Sequence, residues 1–155
     1  MRKIAIASLF ALVTATSSTA ATGFGEQVGQ AGKWTVYADT NPMTDAKECT
    51  ALFEDRAAVQ YTGDMFAISL RGRGGNRAYT LRLDDNEALP LRLANEDEKG
   101  VHAAVFAGED LANIEAADRL RIEIMTVIRG VVFEDIDLSG LPEVRTLFTS
   151  NGCTA

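Results

Sequence analysis

Apolar and polar residues alternate along most of the chain, and the alternation is clearest on either side of a glycine-rich loop. Residues 65–70 and 79–85 place an apolar side chain at every second position, which is the period of a strand with one buried face. The loop between them reads Arg-Gly-Arg-Gly-Gly-Asn-Arg from position 71 to position 77. Two alternating runs that flank such a loop predict a β-hairpin.

The same period of two predicts further short strands, which are separated by turn signals. They cover residues 33–38, 49–53, 59–61, 89–93, 101–105, 119–127 and 131–134. Short strands at a spacing of roughly ten residues favour a mainly β protein, an antiparallel β-sandwich or a barrel-like domain. The alternative is an α+β arrangement in which the last helix lies across one sheet.

Two segments have apolar residues at helical spacing instead. Residues 109–118 predict a short helix with acidic residues in its first turn. A C-terminal helix is expected to begin at Ser139 as its cap, to hold Pro142 in its first turn and to end at Gly152. The charged residues 95–100 are expected to form a turn between strands.

The N-terminus has the features of a secretory signal peptide. Arg2 and Lys3 precede an apolar run over residues 4–13, and small residues follow up to Ala20 and Ala21. This order is typical of signal peptides, and the run is too short to span a bilayer as a helix. We therefore expect cleavage near Ala20 or Ala21 and a periplasmic or secreted protein without a membrane span. The predicted organisation is a signal peptide over residues 1–20, a flexible lead-in over 21–32 and a single β-rich domain over 33–155.

The charge of the mature chain excludes some classes of partner. Removal of Arg2 and Lys3 leaves 13 basic against 22 acidic residues, a net charge of −9. Repulsion by this charge opposes general binding to nucleic acid or to an anionic membrane.

Two cysteines remain in the mature chain, Cys49 near its start and Cys153 near its end. In an oxidising compartment an even pair that is far apart in sequence is expected to form one disulfide. Reactive thiols or metal ligands are the alternative, but neither cysteine belongs to a C-x-x-C motif.

The sequence supplies no recognisable catalytic or metal-binding set. His102 is the only histidine, it lies in a predicted strand, and no G-x-S-x-G motif accompanies it. One histidine and two distant cysteines do not form a zinc ligand set, and the acidic clusters do not match an EF-hand loop. We predict no catalytic residue, no metal and no cofactor. An alternative is a carboxylate-based hydrolase in which Asp84 or Asp85 faces Glu123 or Asp135 across a sheet.

The glycine-rich loop is the strongest candidate for a contact with a partner. Arg71, Arg73 and Arg77 stand close together in an acidic chain, on a backbone that glycine makes permissive. Guanidinium groups bind carboxylate or phosphate in a bidentate manner, so the loop can hold an anionic ligand or partner. The alternative is a solvated hairpin tip, because no strand-to-helix P-loop context surrounds it.

A resemblance to known proteins rests mainly on the segment from Trp34 to Cys49. It combines the strand Trp34-Thr35-Val36-Tyr37 with the turn Asn41-Pro42-Met43-Thr44-Asp45, and the terminal helix ends beside Cys153. In this pattern the chain resembles the small periplasmic proteins grouped with bacterial invasion-associated locus B. It also resembles secreted accessory proteins of type VI secretion that share the tryptophan strand and a Ser/Asn-Pro-Met-x-Asp turn. The resemblance implies a non-enzymatic β domain of the cell envelope and brings no catalytic residues with it.

Taken together, these features predict an exported, non-enzymatic β domain that binds an envelope protein or an anionic ligand. A carboxylate-based periplasmic hydrolase and a purely structural envelope protein are the alternatives. The sequence carries no signal for an oligomeric state.

Overall fold

A computed structural model describes residues 23–128 and 130–153 of the chain. The predicted signal peptide over residues 1–20 lies outside these residues. The strands are β1 Glu26–Ala31, β2 Trp34–Thr40, β3 Lys47–Phe53, β4 Arg56–Tyr61, β5 Phe66–Ser69, β6 Asn76–Leu83, β7 Arg92–Leu93, β8 Ala103–Phe106, β9 Arg119–Thr126 and β10 Val131–Asp137. The helices are α1 Glu96–Val101, α2 Gly108–Glu115 and α3 Leu141–Ser150. Within the described ranges, there is no helix of the length and hydropathy that a bilayer crossing requires.

The strands form two antiparallel sheets, one with the order β1-β2-β3-β4-β5-β8 and one with the order β10-β9-β6-β7. Each sheet has two edge strands, so neither closes into a barrel. The prediction of an antiparallel β-sandwich with a short helix and a C-terminal helix is confirmed.

The core lies between the sheets and is built from the inward positions of the alternating strands. Trp34 is fully buried, its ring lies 5.3 Å from that of Phe53, and its Nε1 donates to the backbone oxygen of Asp137 at 3.1 Å. Tyr79 on β6 meets Phe106 on β8 with ring centroids 5.5 Å apart, which joins one sheet to the other. Such large aromatic side chains contribute much of the apolar area that a domain of this size buries.

The prediction of a central hairpin over residues 65–85 is wrong. β5 pairs with β4 and β8, whereas β6 pairs with β7 and β9 in the other sheet. The glycine-rich loop therefore carries the chain across the sandwich, from one sheet to the other. Alternation reveals which face of a strand is buried, but two strands that face one core from opposite sheets share the same pattern.

The charged segment 95–100 is a helix rather than a turn. Asn95 and Glu98 form a reciprocal capping box at the start of α1, and Glu98 is only 1% exposed. A capping box satisfies backbone N–H groups at a helix start, which stabilises even a short helix. The prediction that His102 lies in a strand is wrong, because His102 is the C-cap of α1 with a φ of 53° and β8 begins only at Ala103.

The lead-in predicted as flexible contains β1, which pairs with β2. Several glycines favour loose structure in this segment, but Gly29 has a packing role. A Cβ at this position would lie 2.9 Å from Cδ1 of Leu147 on α3, so the missing side chain admits the helix.

The C-terminal helix is confirmed, with a different cap. The N-cap residue of α3 is Gly140, and Ser139 instead donates through its hydroxyl to Asp137 at 2.6 Å. The helix buries Leu141, Val144 and Phe148 against the core. The predicted disulfide between Cys49 on β3 and Cys153 after α3 is also confirmed, with the two Cα atoms 5.6 Å apart.

Candidate binding groove

The outer face of the six-stranded sheet carries mostly small side chains where β4, β5 and β8 lie side by side. Every second residue of these strands is buried in the core, so the residues between them point away from the core. Those outward residues are Ala58, Gln60, Ala67, Ser69, Ala103 and Val105. Since most of them are small, this part of the sheet forms the floor of a depression.

Taller elements surround this floor and produce a groove of about 990 Å³. α1 forms one wall with Asn95, Asp97 and Val101, while Phe24 and Met65 line it elsewhere. The volume is in the range of sites that hold small molecules.

The two ends of the groove differ in polarity, as the strand register shows. Phe66 pairs with Phe106, and this register sets Met65 and Ala107 at one end. The chain then runs along the floor to Arg71, which lines the groove beyond the opposite end of β5. β5 itself has four residues and spans roughly 13 Å at strand spacing. One end holds Met65 and Ala107 together with the oppositely charged Arg92 and Asp110, and the other end carries Arg71 and Arg73.

The structure separates the three arginines that the sequence analysis grouped. Arg71 and Arg73 line the groove, whereas Arg77 lies on β6 in the other sheet and is not among the lining residues. Within residues 23–128 and 130–153, Arg71 forms no ion pair. Arg73 has a long contact of 3.9 Å to Glu134, whose other oxygen is 3.0 Å from Arg56. Both groove arginines can therefore bind an incoming anion without breaking a close ion pair.

The loop that carries these arginines is anchored at its two central glycines. A Cβ on Gly74, where φ is 91°, would lie 2.7 Å from Cβ of Ile128 in the loop between β9 and β10. A Cβ on Gly75 would lie 2.9 Å from Nδ1 of His102. Only glycine allows this backbone to pass so close to both neighbours. Arg71 and Arg73 thus project from a fixed segment.

A third arginine in the groove already has a partner. Arg92 on β7 forms an ion pair with Asp110 on α2, and its guanidinium lies 5.6 Å from the centre of the Tyr79 ring. The hydrogen bond to Asp110 raises the pKa of Arg92 above its usual value. The sequence does not predict this pair, because a strand of two residues gives almost no pattern. The small outward residues of the groove floor do leave a signal in the sequence, namely alanine and serine at alternating positions.

Three of the four carboxylates of the hydrolase alternative accept hydrogen bonds from arginine side chains or backbone groups, namely Asp84, Asp85 and Asp135. Asp84 accepts hydrogen bonds from the backbone N–H groups of Asp118 and Arg119 at 2.9 and 3.0 Å. The Arg119 side chain donates to Asp135 at 2.7 Å and lowers the pKa of that carboxyl. A general acid needs the opposite shift. In the described part of the chain, no group of three or more possible metal ligands occurs.

The outer face of the four-stranded sheet is a second surface of interest, because apolar side chains are exposed there. The register places the exposed Leu93, Met125 and Val131 in one row across the sheet, with the buried Ala78 between Leu93 and Met125. Leu93 is 72% exposed and Phe133, on the same face, is 62% exposed. Adjoining exposed apolar side chains of this kind are typical of protein contact surfaces.

No protein-family model, no curated protein and no solved structure matches this chain. The groove and the residues at its ends are therefore the features from which a function can be argued.

Proposed function

We propose that this protein is a non-enzymatic binding domain that holds an anionic ligand in the groove, with Arg71 and Arg73 as its charged contacts. The observation that carries the proposal is the position of these two arginines. They stand at one end of a groove of about 990 Å³, on an anchored loop, and neither has a close ion-pair partner among the described residues.

The chemistry of the site favours an anion over other ligands. Guanidinium groups bind carboxylate and phosphate oxygens with directed hydrogen bonds, and these are stronger than bonds between neutral groups. Among the other charged lining residues, Arg92 and Asp110 neutralise one another, Glu98 is buried in its capping box, and Asp97 lies on the wall formed by α1.

The proposed location is the periplasm or another exported compartment of the cell envelope. The Cys49–Cys153 disulfide supports an oxidising compartment. The N-terminal signal features and the resemblance to small periplasmic proteins support the same location.

The proposal is tested by titrating the mature domain, residues 21–155, with butanoate and with methyl phosphate while amide shifts are recorded by NMR. We expect shifts at residues 69–75 and 101–107. The double variant R71A/R73A should lose these shifts. R77A is the matched control, because Arg77 is close in sequence but lies on β6 and does not line the groove, and R77A should keep them. An absence of shifts in the wild-type domain, or equal losses in the two variants, would contradict the proposal and favour a purely structural role.

One observation favours a protein partner as a second candidate, namely the apolar face of the four-stranded sheet. The variant V131S/F133S removes two exposed apolar side chains from this face without touching the groove. If an envelope protein is the partner, V131S/F133S should lose its capture while R71A/R73A retains it. The reverse result would exclude this face as the contact.

A further inference from the structure

We infer that the ligand of this groove is a single-chain anionic amphiphile, a linear alkyl or acyl chain that ends in a carboxylate or a phosphate. The inference rests on the proposed function and specifies its ligand. The chain lies along the small-residue floor, and the anionic head binds Arg71 and Arg73.

The shape of the groove matches one extended chain. The floor runs along β5, whose four residues span roughly 13 Å at strand spacing. Ala67 and Ser69 on β5 and Ala103 on β8 keep it low along this path. A linear chain lies flat on such a floor, and each methylene that leaves water contributes to affinity.

The distribution of charge fixes the direction of the ligand. Met65 and Ala107 lie at one end beside the Arg92–Asp110 pair, whose charges neutralise one another, whereas Arg71 and Arg73 at the other end are cations without a close ion-pair partner. A ligand with an anionic head at Arg71 and Arg73 and an uncharged tail towards Met65 fits this distribution.

The structure weighs against an extended peptide in the same place, because the neighbouring edge of the sheet is closed. A peptide that adds to an edge strand needs free backbone groups along it. On β8, the N–H of Val105 donates to Glu98 at 3.2 Å, and the oxygen of Ala103 accepts from the Asn76 amide at 3.4 Å. The side chains of Glu98 and Asn76 are each 1% exposed, so a peptide cannot displace them without disturbing the core.

The test is a calorimetric titration of the mature domain with hexanoate, octanoate, decanoate and dodecanoate as monomers below their micelle concentrations. We expect Kd to fall about two- to fourfold for each added methylene, as partial burial of the chain requires. Dodecyl phosphate should bind like dodecanoate. Dodecyltrimethylammonium and dodecyl maltoside carry the same chain with a cationic and a neutral head, and they should bind at least tenfold more weakly.

Three variants separate the contributions of head and chain. R71A/R73A should raise the Kd of dodecanoate at least tenfold, and R77A should leave it unchanged. A67F places a large ring on the floor, at an exposed-side position of β5, and should abolish dodecanoate binding. Far-UV circular dichroism and a dispersed amide NMR spectrum like those of the wild type show that A67F is folded.

Each outcome bears on the inference. If butanoate binds as tightly as dodecanoate, the chain has no site and the inference fails, while the proposed anion site stands. If neither binds, both fail. Equal binding of the anionic, neutral and cationic amphiphiles would also overturn the inference. The same holds if the protein sediments with phosphatidylglycerol vesicles but does not bind monomeric dodecanoate.

Discussion

Glu98 accepts a hydrogen bond from the backbone N–H of Val105 at 3.2 Å, and with this bond a helix side chain closes the edge of a sheet. Its other carboxylate oxygen accepts from the N–H of Asn95 at 2.9 Å as part of the capping box. One buried acid thus holds α1 and β8 together. Burial raises the pKa of the nearby Tyr79, and the charge of Glu98 raises it further.

Replacement of Glu98 is expected to destabilise the fold strongly. E98A leaves the backbone N–H groups of Asn95 and Val105 without their acceptor and empties a buried site, and we expect a loss of about 2 to 4 kcal/mol in the free energy of unfolding. E98Q keeps an acceptor oxygen and should lose about half as much. Urea unfolding measures both. E96A, at an exposed position of the same helix, is the control and should change stability by less than about 1 kcal/mol. Equal effects of E96A and E98A would contradict the assigned role.

Reduction of the Cys49–Cys153 disulfide is expected to lower the free energy of unfolding by about 4 to 5 kcal/mol. The bond closes a loop with a sequence separation of 104, and in the chain-entropy model a loop of this length restricts the unfolded chain by that amount. Guanidinium unfolding with and without dithiothreitol measures the loss. The double variant C49A/C153A should show no response to the reductant, and a response would mean that dithiothreitol acts elsewhere.

The two glycines Gly74 and Gly72 provide a matched pair of substitutions. Both have positive φ, of 91° and 77°, so alanine strains the backbone at either site. Only at Gly74 does the added Cβ also meet Ile128, while nothing in the described chain lies within 4 Å of it at Gly72. We expect G72A to cost about 1 kcal/mol and G74A about 2 to 4 kcal/mol in thermal unfolding. Similar losses would show that Ile128 does not hold the loop.

Asp137 is expected to make stability depend on pH through Ser139. The hydrogen bonds from the hydroxyl and backbone N–H of Ser139 lower the pKa of Asp137 below its usual value of 3.8. A lowered folded-state pKa gives stability that is present above about pH 4 and is lost as the pH falls through the folded-state value. S139A should therefore be less stable than the wild type at pH 7 and equally stable well below pH 3. S150A, whose hydroxyl bonds only a helix carbonyl, should show the same difference at both values.

The alternation of side chains was enough to predict the layers of the fold but not their connection. It identified β9 and β10, and residues 120, 122 and 124 are fully buried as the pattern requires. It failed between β5 and β6, because a strand pattern does not specify which sheet a strand joins. α1 was missed because its stability comes from the capping box and from the contact of Glu98 with β8, and the second of these is a long-range effect.

The candidate site was predictable only in its chemistry. Arg71 and Arg73 were identified from the loop sequence, and their position at the groove was not. Arg77, the last arginine of the same sequence motif, lies on β6 in the other sheet. It is separated from Arg71 and Arg73 because the chain passes from one sheet to the other between β5 and β6. The hairpin assumed from the sequence would have kept all three together.

The crossing between β5 and β6 couples ligand binding to the mechanics of the sandwich. The segment that carries Arg71 and Arg73 also connects the two sheets, and the two sheets must separate when the protein unfolds. A ligand that immobilises this connection should slow unfolding, so binding in the groove can be measured as a longer lifetime of the folded protein in denaturant.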